Sequence, residues 1–225
     1  ETVCLGHNVY NYGSTFKSKT LEHAYFSMYG YEDRIKTKRR KYFYNPETVE
    51  QIKTKYSGKQ IVLIAPYASN REGPSNGIQK SNKTWEYKRW EKVIDFLHSK
   101  NYYVIQVGVK EDEKVSNIDE CFFNQPFRDL VALIKVSKFF LSLDTFFQHL
   151  CGLMDKKGIV ITPDFNDHIN WPAIIYIVGK TDKKFEELRW TKDHLNPYRK
   201  ICMDNITVET VIEESSKLID CFNKY

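Results

Sequence analysis

The spacing of apolar positions changes period several times along the chain, and each change marks an element. QIVLIAP (60–66), YYVIQVG (102–108), FFLSLD (139–144) and GIVITP (158–163) are short continuous apolar runs, as expected of strands buried on both faces. Helical periodicity separates them. WEYKRWEKVIDFLHSK places Trp90, Val93, Ile94 and Leu97 on one stripe, PFRDLVALIKVSK (126–138) is amphipathic, and TFFQHLCGLM predicts a further helix. KEDEKVSNI, after the second strand, reads as the start of another helix. ITVETVIEESSKLIDCFNKY predicts one long terminal helix with Val208, Val211, Ile212, Leu218 and Ile219 facing inward. Strand and helix in this alternation predict an α/β domain, a Rossmann-like doubly wound parallel sheet.

The first part of the chain is less regular. Residues 1 to 18 show no clear period. Residues 19 to 30 place Leu21, Ala24, Tyr25 and Met28 at helical spacing and stop at Gly30. IKTKRRK follows, a basic run that reads either as a solvated linker or as a contact to an acidic membrane surface or partner. Asn45-Pro46-Glu47 opens a short helix to about Tyr56, and residues 67 to 84, rich in Ser, Asn and Gly, form a long loop. The expected division is an irregular and helical N-terminal segment over 1–57, a remnant of or linker from another domain, and a Rossmann-like domain over 58–225.

Composition changes the picture little. A charge of +5 on 225 residues permits an anionic ligand without demanding nucleic acid, which is not expected as a partner. Cys4, Cys121, Cys151, Cys202 and Cys221 are scattered and contain no CxxC pair, so they read as reduced thiols, with a cytoplasmic location. No apolar run approaches the ~18 residues of a membrane span. The histidines at 7, 23, 98, 149, 168 and 194 show no HExxH or HxH spacing, and GxSxG and GxGxxG are both missing. These gaps argue against metal hydrolases, nucleophilic hydrolases and dinucleotide oxidoreductases, and no metal is expected.

Candidate chemistry gathers at strand ends, where open parallel sheets bind ligands. LSLDTFFQHLCG puts Asp144 at such an end and Thr145 at a helix start, with the amides of 146 to 148 beside it and His149 one turn on. That constellation suits a phosphate carrying a hydroxyl-rich group. Asp144 and Thr145 capping the helix, with His149 packed inside, is the plainer alternative. KTWEYKRW offers Lys83 just before a helix, with Trp85 and Trp90 pinning its start. GVKEDE offers Asp112 or Glu113 to a ribose, or as capping acids.

In order, these segments resemble the C-terminal domain of glycosyltransferase family 9, the group containing lipopolysaccharide heptosyltransferases. The family's K-x-W-P-x-x-x-W element is similar to Lys83, Trp85 and Trp90; its Gly-x-x-x-acid turn to Gly108 and Asp112; its D-[ST]-x-x-x-H-L element to Asp144, Thr145, His149 and Leu150. The resemblance covers about residues 58 to 175 and extends weakly upstream to TLEHAYFSMYGYED. It implies a GT-B architecture and metal-independent sugar transfer from a nucleotide-diphosphate sugar, an ADP-sugar favoured, to a glycan or lipid-linked acceptor. The implied setting is lipopolysaccharide biosynthesis on the cytoplasmic side, peripheral to the inner face of a membrane. It further implies that Lys83 contacts the phosphates, Asp112 or Glu113 the ribose, Thr145, Phe146 and the adjoining amides the pyrophosphate, and that Asp144 and His149 orient sugar and phosphate. Glu86 stands where the family has Pro, and Phe146 where Gly or Ala is frequent. The family's candidate general base precedes the region matched, so the chain reads either as a portion of a larger enzyme or as a non-catalytic scaffold with a degenerate glycosyltransferase fold.

Overall fold

The computed structural model describes residues 44–68, 83–110, 112–163, 171–181 and 197–223. Residues Phe43–Asp164 and Pro172–Tyr225 form one compact unit. Of the other, Glu1–Tyr42 with Phe165–Trp171, only Trp171 falls among the described residues. The helix expected at 19–30, the basic run IKTKRRK and loop residues 69–82 therefore lie outside the described residues.

Six strands, β1 (Gln60–Ala65), β2 (Tyr102–Gly108), β3 (Glu120–Phe123), β4 (Phe139–Leu143), β5 (Gly158–Thr162) and β6 (Ile174–Val178), form one sheet in the order β3-β2-β1-β4-β5-β6, every pair parallel. Among the described residues six helices accompany them: α1 (Pro46–Lys55), α2 (Tyr87–Ser99), α3 (Phe127–Val136), α4 (Phe146–Leu153), α5 (Pro197–Asp204) and α6 (Val208–Asn223). From β1 the chain steps outward through β2 and β3, then returns to β4 on the other side of β1 and steps outward again. The reversal places the topological switch point between β1 and β4, the position at which such sheets open a crevice beyond their carboxyl ends. There Ala65 is in register with Ser142.

Period-two alternation divides the strand residues between two faces. On one face Val62, Ile64, Val104, Phe139, Leu141, Ile159 and Ile161 join Trp90, Val93, Ile94 and Leu97 of α2 and Val211, Leu218 and Ile219 of α6 in a single core cluster. On the other, the Phe140 and Phe147 rings meet edge to face at 5.7 Å. The predicted α2 stripe is buried in full, and in α6 every predicted inward residue is buried except Ile212, which packs partly buried against the same core.

Three departures from the sequence reading have physical causes. KEDEKVSNI is not a helix. The Gln106 side chain, buried within β2, donates to the Glu113 carbonyl at 2.9 Å and accepts from Val115 N at 2.9 Å, which satisfies that backbone in an extended path. Asn117 then turns with φ of 64°, a conformation Asn tolerates. ECFF becomes edge strand β3, too short and too mixed to read as a strand alone. IIYIV becomes edge strand β6, half-exposed in part, which an account of fully buried runs passed over.

Candidate functional site at the topological switch point

The fully buried strand β4 delivers Asp144 to the carboxyl rim of the sheet. Thr145 follows in extended conformation as the N-cap of α4, its Oγ accepting from Phe147 N at 3.3 Å. One of the three amides counted from the sequence is thus covered by the cap hydroxyl. Asp144 is held from two directions. Lys83 Nζ lies 2.5 Å from Oδ2, with the two side chains only 25% and 16% exposed, and Gln148, one turn into α4, donates its Nε2 to Oδ1. Lys83 belongs to the segment that follows β1, whereas Asp144 ends β4. Their ion pair therefore spans the switch point itself. Exposed pairs are worth about 0–1 kcal/mol, but one this shielded holds its geometry better and costs more to break.

Local packing explains why Lys83 points there. Two residues on, Trp85 is 1% exposed, donates Nε1 to Ile206 O at 3.0 Å and meets Trp90 edge to face at 5.3 Å. Arg89 Nη1 donates to the carbonyls of Asp204 and Ile206, both at 2.9 Å, placing a cation at the carboxyl end of α5. Both anchors fix the start of α2 against the α5–α6 junction. Glu86, in the position of the family's proline, takes the N-cap without a side-chain cap bond, while its carbonyl accepts from Arg89 N at 2.9 Å.

His149 is half-buried and shares the electrostatic field of this pair. Burial pushes its imidazole below the usual range; Asp144 opposes that shift and Lys83 adds to it. The ring is therefore biased toward neutrality and carries one donor and one acceptor nitrogen. The structure thus brings Lys83, Asp144, Thr145 and His149 to one corner.

On the β2 side of β1 lies a second corner. Asp112 Oδ2 accepts from Val109 N at 2.8 Å, and Asp112 N donates to Val109 O at 3.0 Å, closing a tight turn after Gly108. A Cβ on Gly108 would come within 2.2 Å of that carboxylate oxygen, so a side chain here would push the Asp112 carboxylate off Val109 N. Asp112 and Glu113 sit close enough to Tyr67, just beyond β1, and to Tyr87, at the start of α2, for their charges to raise both phenols, burial being the larger cause. Phe146, at the first position of α4, is 66% exposed and lies beside the exposed Phe127, ring centroids 6.3 Å apart.

Sequence reasoning missed Gln148, Tyr67 and Tyr87. Gln148 was legible in principle, because it stands four residues after Asp144 and the two share a helical face. The tyrosines had no local signal, since strand order alone brings them to the Asp112 turn. Among the described residues no group of three or more His, Cys, Asp or Glu is placed to hold a metal ion, and no helix is long and apolar enough to cross a membrane.

An open, fully parallel sheet in this strand order, with a charged pair across its switch point, defines a Rossmann-like α/β domain. Solved structures carry it further: the fold is shared with about half of a heptosyltransferase and of a family 9 glycosyltransferase. Heptosyltransferase II of Escherichia coli superposes with a TM-score of 0.56 at 16% identity, over 80% of this chain and 54% of that one. A family 9 glycosyltransferase from Veillonella parvula gives 0.56 at 14%, over 78% and 52%. The dodecameric, iron-containing heptosyltransferase TibC from enterotoxigenic E. coli, in complex with ADP-D-beta-D-heptose, gives 0.57 at 17%, over 72% and 46%. The chain thus spans about half the length of these proteins. No family model and no curated protein sequence matches it.

Proposed function

We propose that this chain holds the sugar donor of a metal-independent glycosyltransferase, binding a nucleotide-diphosphate sugar, an ADP-sugar by preference, whose sugar passes to a glycan or lipid-linked acceptor. The observation that carries this reading is the Lys83–Asp144 ion pair across the switch point, with the amino end of α4 beside it. Cleaving a glycosyl–phosphate bond leaves negative charge on the departing nucleotide. A lysine cation and the positive end of a helix dipole oppose that charge where it develops, without a metal. In this reading Lys83 contacts the phosphates, Thr145 and the neighbouring amides hold the pyrophosphate, and Asp144 with the neutral His149 orients donor hydroxyls. Asp112 and Glu113, in the Tyr67–Tyr87 corner, take the ribose, and the exposed Phe146 ring lies along the donor.

Support comes also from the polar groups left over. Thr84 Oγ, Ser142 Oγ and the Gln148 side-chain oxygen are buried without hydrogen-bond partners, and all three lie in the two segments that carry Lys83 and Asp144. Buried polar atoms are satisfied nearly everywhere in folded proteins, so exceptions in these two segments support the reading, Trp90 Nε1 in the core being a further exception.

Isothermal calorimetry with ADP and ADP-sugars in the presence of EDTA tests the reading. Binding that Lys83→Ala weakens roughly thirtyfold or more supports it. Binding unchanged in both Lys83→Ala and Asp144→Ala removes the site, and binding that needs a divalent cation removes the metal-free mechanism. ADP-sugar binding with no transfer to any acceptor by the chain in its full-length context would favour the scaffold.

A further inference from the structure

We infer that Gln148 is a positioning residue, which fixes the Asp144 carboxylate so that Asp144 in turn fixes the Lys83 ammonium across the switch point. The inference rests on the donor-site reading above and goes beyond it, since it names what holds the charged pair in place. Its starting point is a residue in the wrong company. α4 buries Phe147, Gln148, Leu150, Cys151 and Gly152, and among these only Gln148 brings a polar side chain capable of strong hydrogen bonds. It is 1% exposed, and its side-chain oxygen has no partner. A methionine of nearly the same length would fill that space without burying an unsatisfied acceptor, so packing alone does not explain the glutamine.

The orientation of the amide does. Its Nε2 donates to Asp144 Oδ1 while Lys83 Nζ holds Oδ2. Turning the amide over would set two acceptors against each other, so the orientation is fixed and the oxygen necessarily points elsewhere. With one donor on each oxygen, the carboxylate can neither rotate about its own axis nor swing toward solvent. The two anchors differ in kind. Lys83 is a long chain on a residue that precedes α2 by four positions, whereas Gln148 sits inside a helix packed onto the sheet, its neighbour Phe147 against Phe140. The rigid anchor is therefore Gln148, and the flexible cation takes its position from the carboxylate that Gln148 holds. Pre-organisation of this kind lowers the ordering cost of binding a phosphate, because the ammonium does not have to find its place at that moment.

A double-mutant cycle in ADP affinity, paired with thermal unfolding, decides the matter. In the otherwise native chain Gln148→Met should weaken ADP about tenfold, the loss expected for one hydrogen bond to a charged group, while lowering the Tm by no more than a few degrees. In an Asp144→Ala background the same substitution should change affinity less than about twofold, since its only route to the ligand is gone. Equal weakening in both backgrounds, or native affinity in Gln148→Met, overturns the inference, as does a fall in Tm large enough to account for lost binding. If the native chain does not bind ADP, the donor-site reading fails by itself. The lock is then judged by exchange of the Gln148 side-chain amide protons, which also decides should Gln148→Met not fold. Slow exchange in the native chain that Asp144→Ala accelerates at least about tenfold upholds the lock, and exchange indifferent to Asp144 refutes it.

Discussion

The two rims of the sheet use the same residue types for opposite ends. At the amino rim several charged side chains close the fold. Lys156 donates to Ser137 O at 2.6 Å beyond the end of α3, Asp119 accepts from Val104 N at 2.7 Å and pairs with His98 at 2.9 Å, and Glu120 takes both Lys55 at 2.7 Å and Tyr56 at 3.0 Å. At the carboxyl rim the Lys83–Asp144 pair joins two segments that part at the switch point, buried polar atoms lack partners, and two phenylalanines are exposed. The amino rim spends its polar groups on joining helices to strands. The carboxyl rim leaves some of its buried polar atoms without partners, which the proposed donor site would use.

The largest expected break in that comparison is Lys83→Met, which should cost about 2 kcal/mol or more of ADP binding, roughly thirtyfold in Kd by calorimetry, with little change in Tm. Lys156→Met should do the reverse. Loss of its bond to a half-buried carbonyl should lower stability by about 1–3 kcal/mol in urea unfolding and leave ADP affinity untouched. A pH series sharpens this. Burial brings the Lys156 ammonium down to about 8, whereas an unfolded lysine keeps its proton to about 10.5. Between those values the unfolded chain binds more protons, so the native chain should gain stability on the Lys156→Met variant as pH rises from about 8 toward 10.5.

His149 predicts a smaller effect on the acid side. Its imidazole lies below the ordinary 6.5 when folded, so below that pH the unfolded chain takes up the proton first. The native chain should therefore lose stability relative to His149→Gln as pH falls from about 7 toward 5, read as a narrowing or reversal of the Tm difference. The smallest change belongs to the amino rim: Glu120→Gln, at a partly solvated pair, should cost less than about 1 kcal/mol and leave ligand binding alone.

What the sequence made legible follows the same division. Continuous apolar runs announced β1, β2, β4 and β5 because burial on both faces leaves no other composition. The stripe of Trp90, Val93, Ile94 and Leu97 announced α2 for the same reason. Edge strands β3 and β6 escaped because they are covered less completely and carry mixed residues. Lys83, Asp144, Thr145 and His149 could be named as candidates because each lies within about a turn of a strand end or helix start, where local pattern fixes position. Tyr67 and Tyr87 could not, since they meet the Asp112 turn only through strand order. Gln148 was legible only through its spacing: inside an apolar helix it reads as one polar residue among core positions, and its reach four residues back to Asp144 gives it a role.

The most direct test of the central claim is a two-dimensional amide NMR titration of this chain with ADP in EDTA. Shift changes concentrated at Lys83–Tyr87, Gly108–Glu113 and Leu143–His149, with the amino-rim residues Ser137, Lys156 and Glu120 unmoved, are the predicted result. Saturable changes centred on the amino rim, or none at millimolar ADP, would contradict the account.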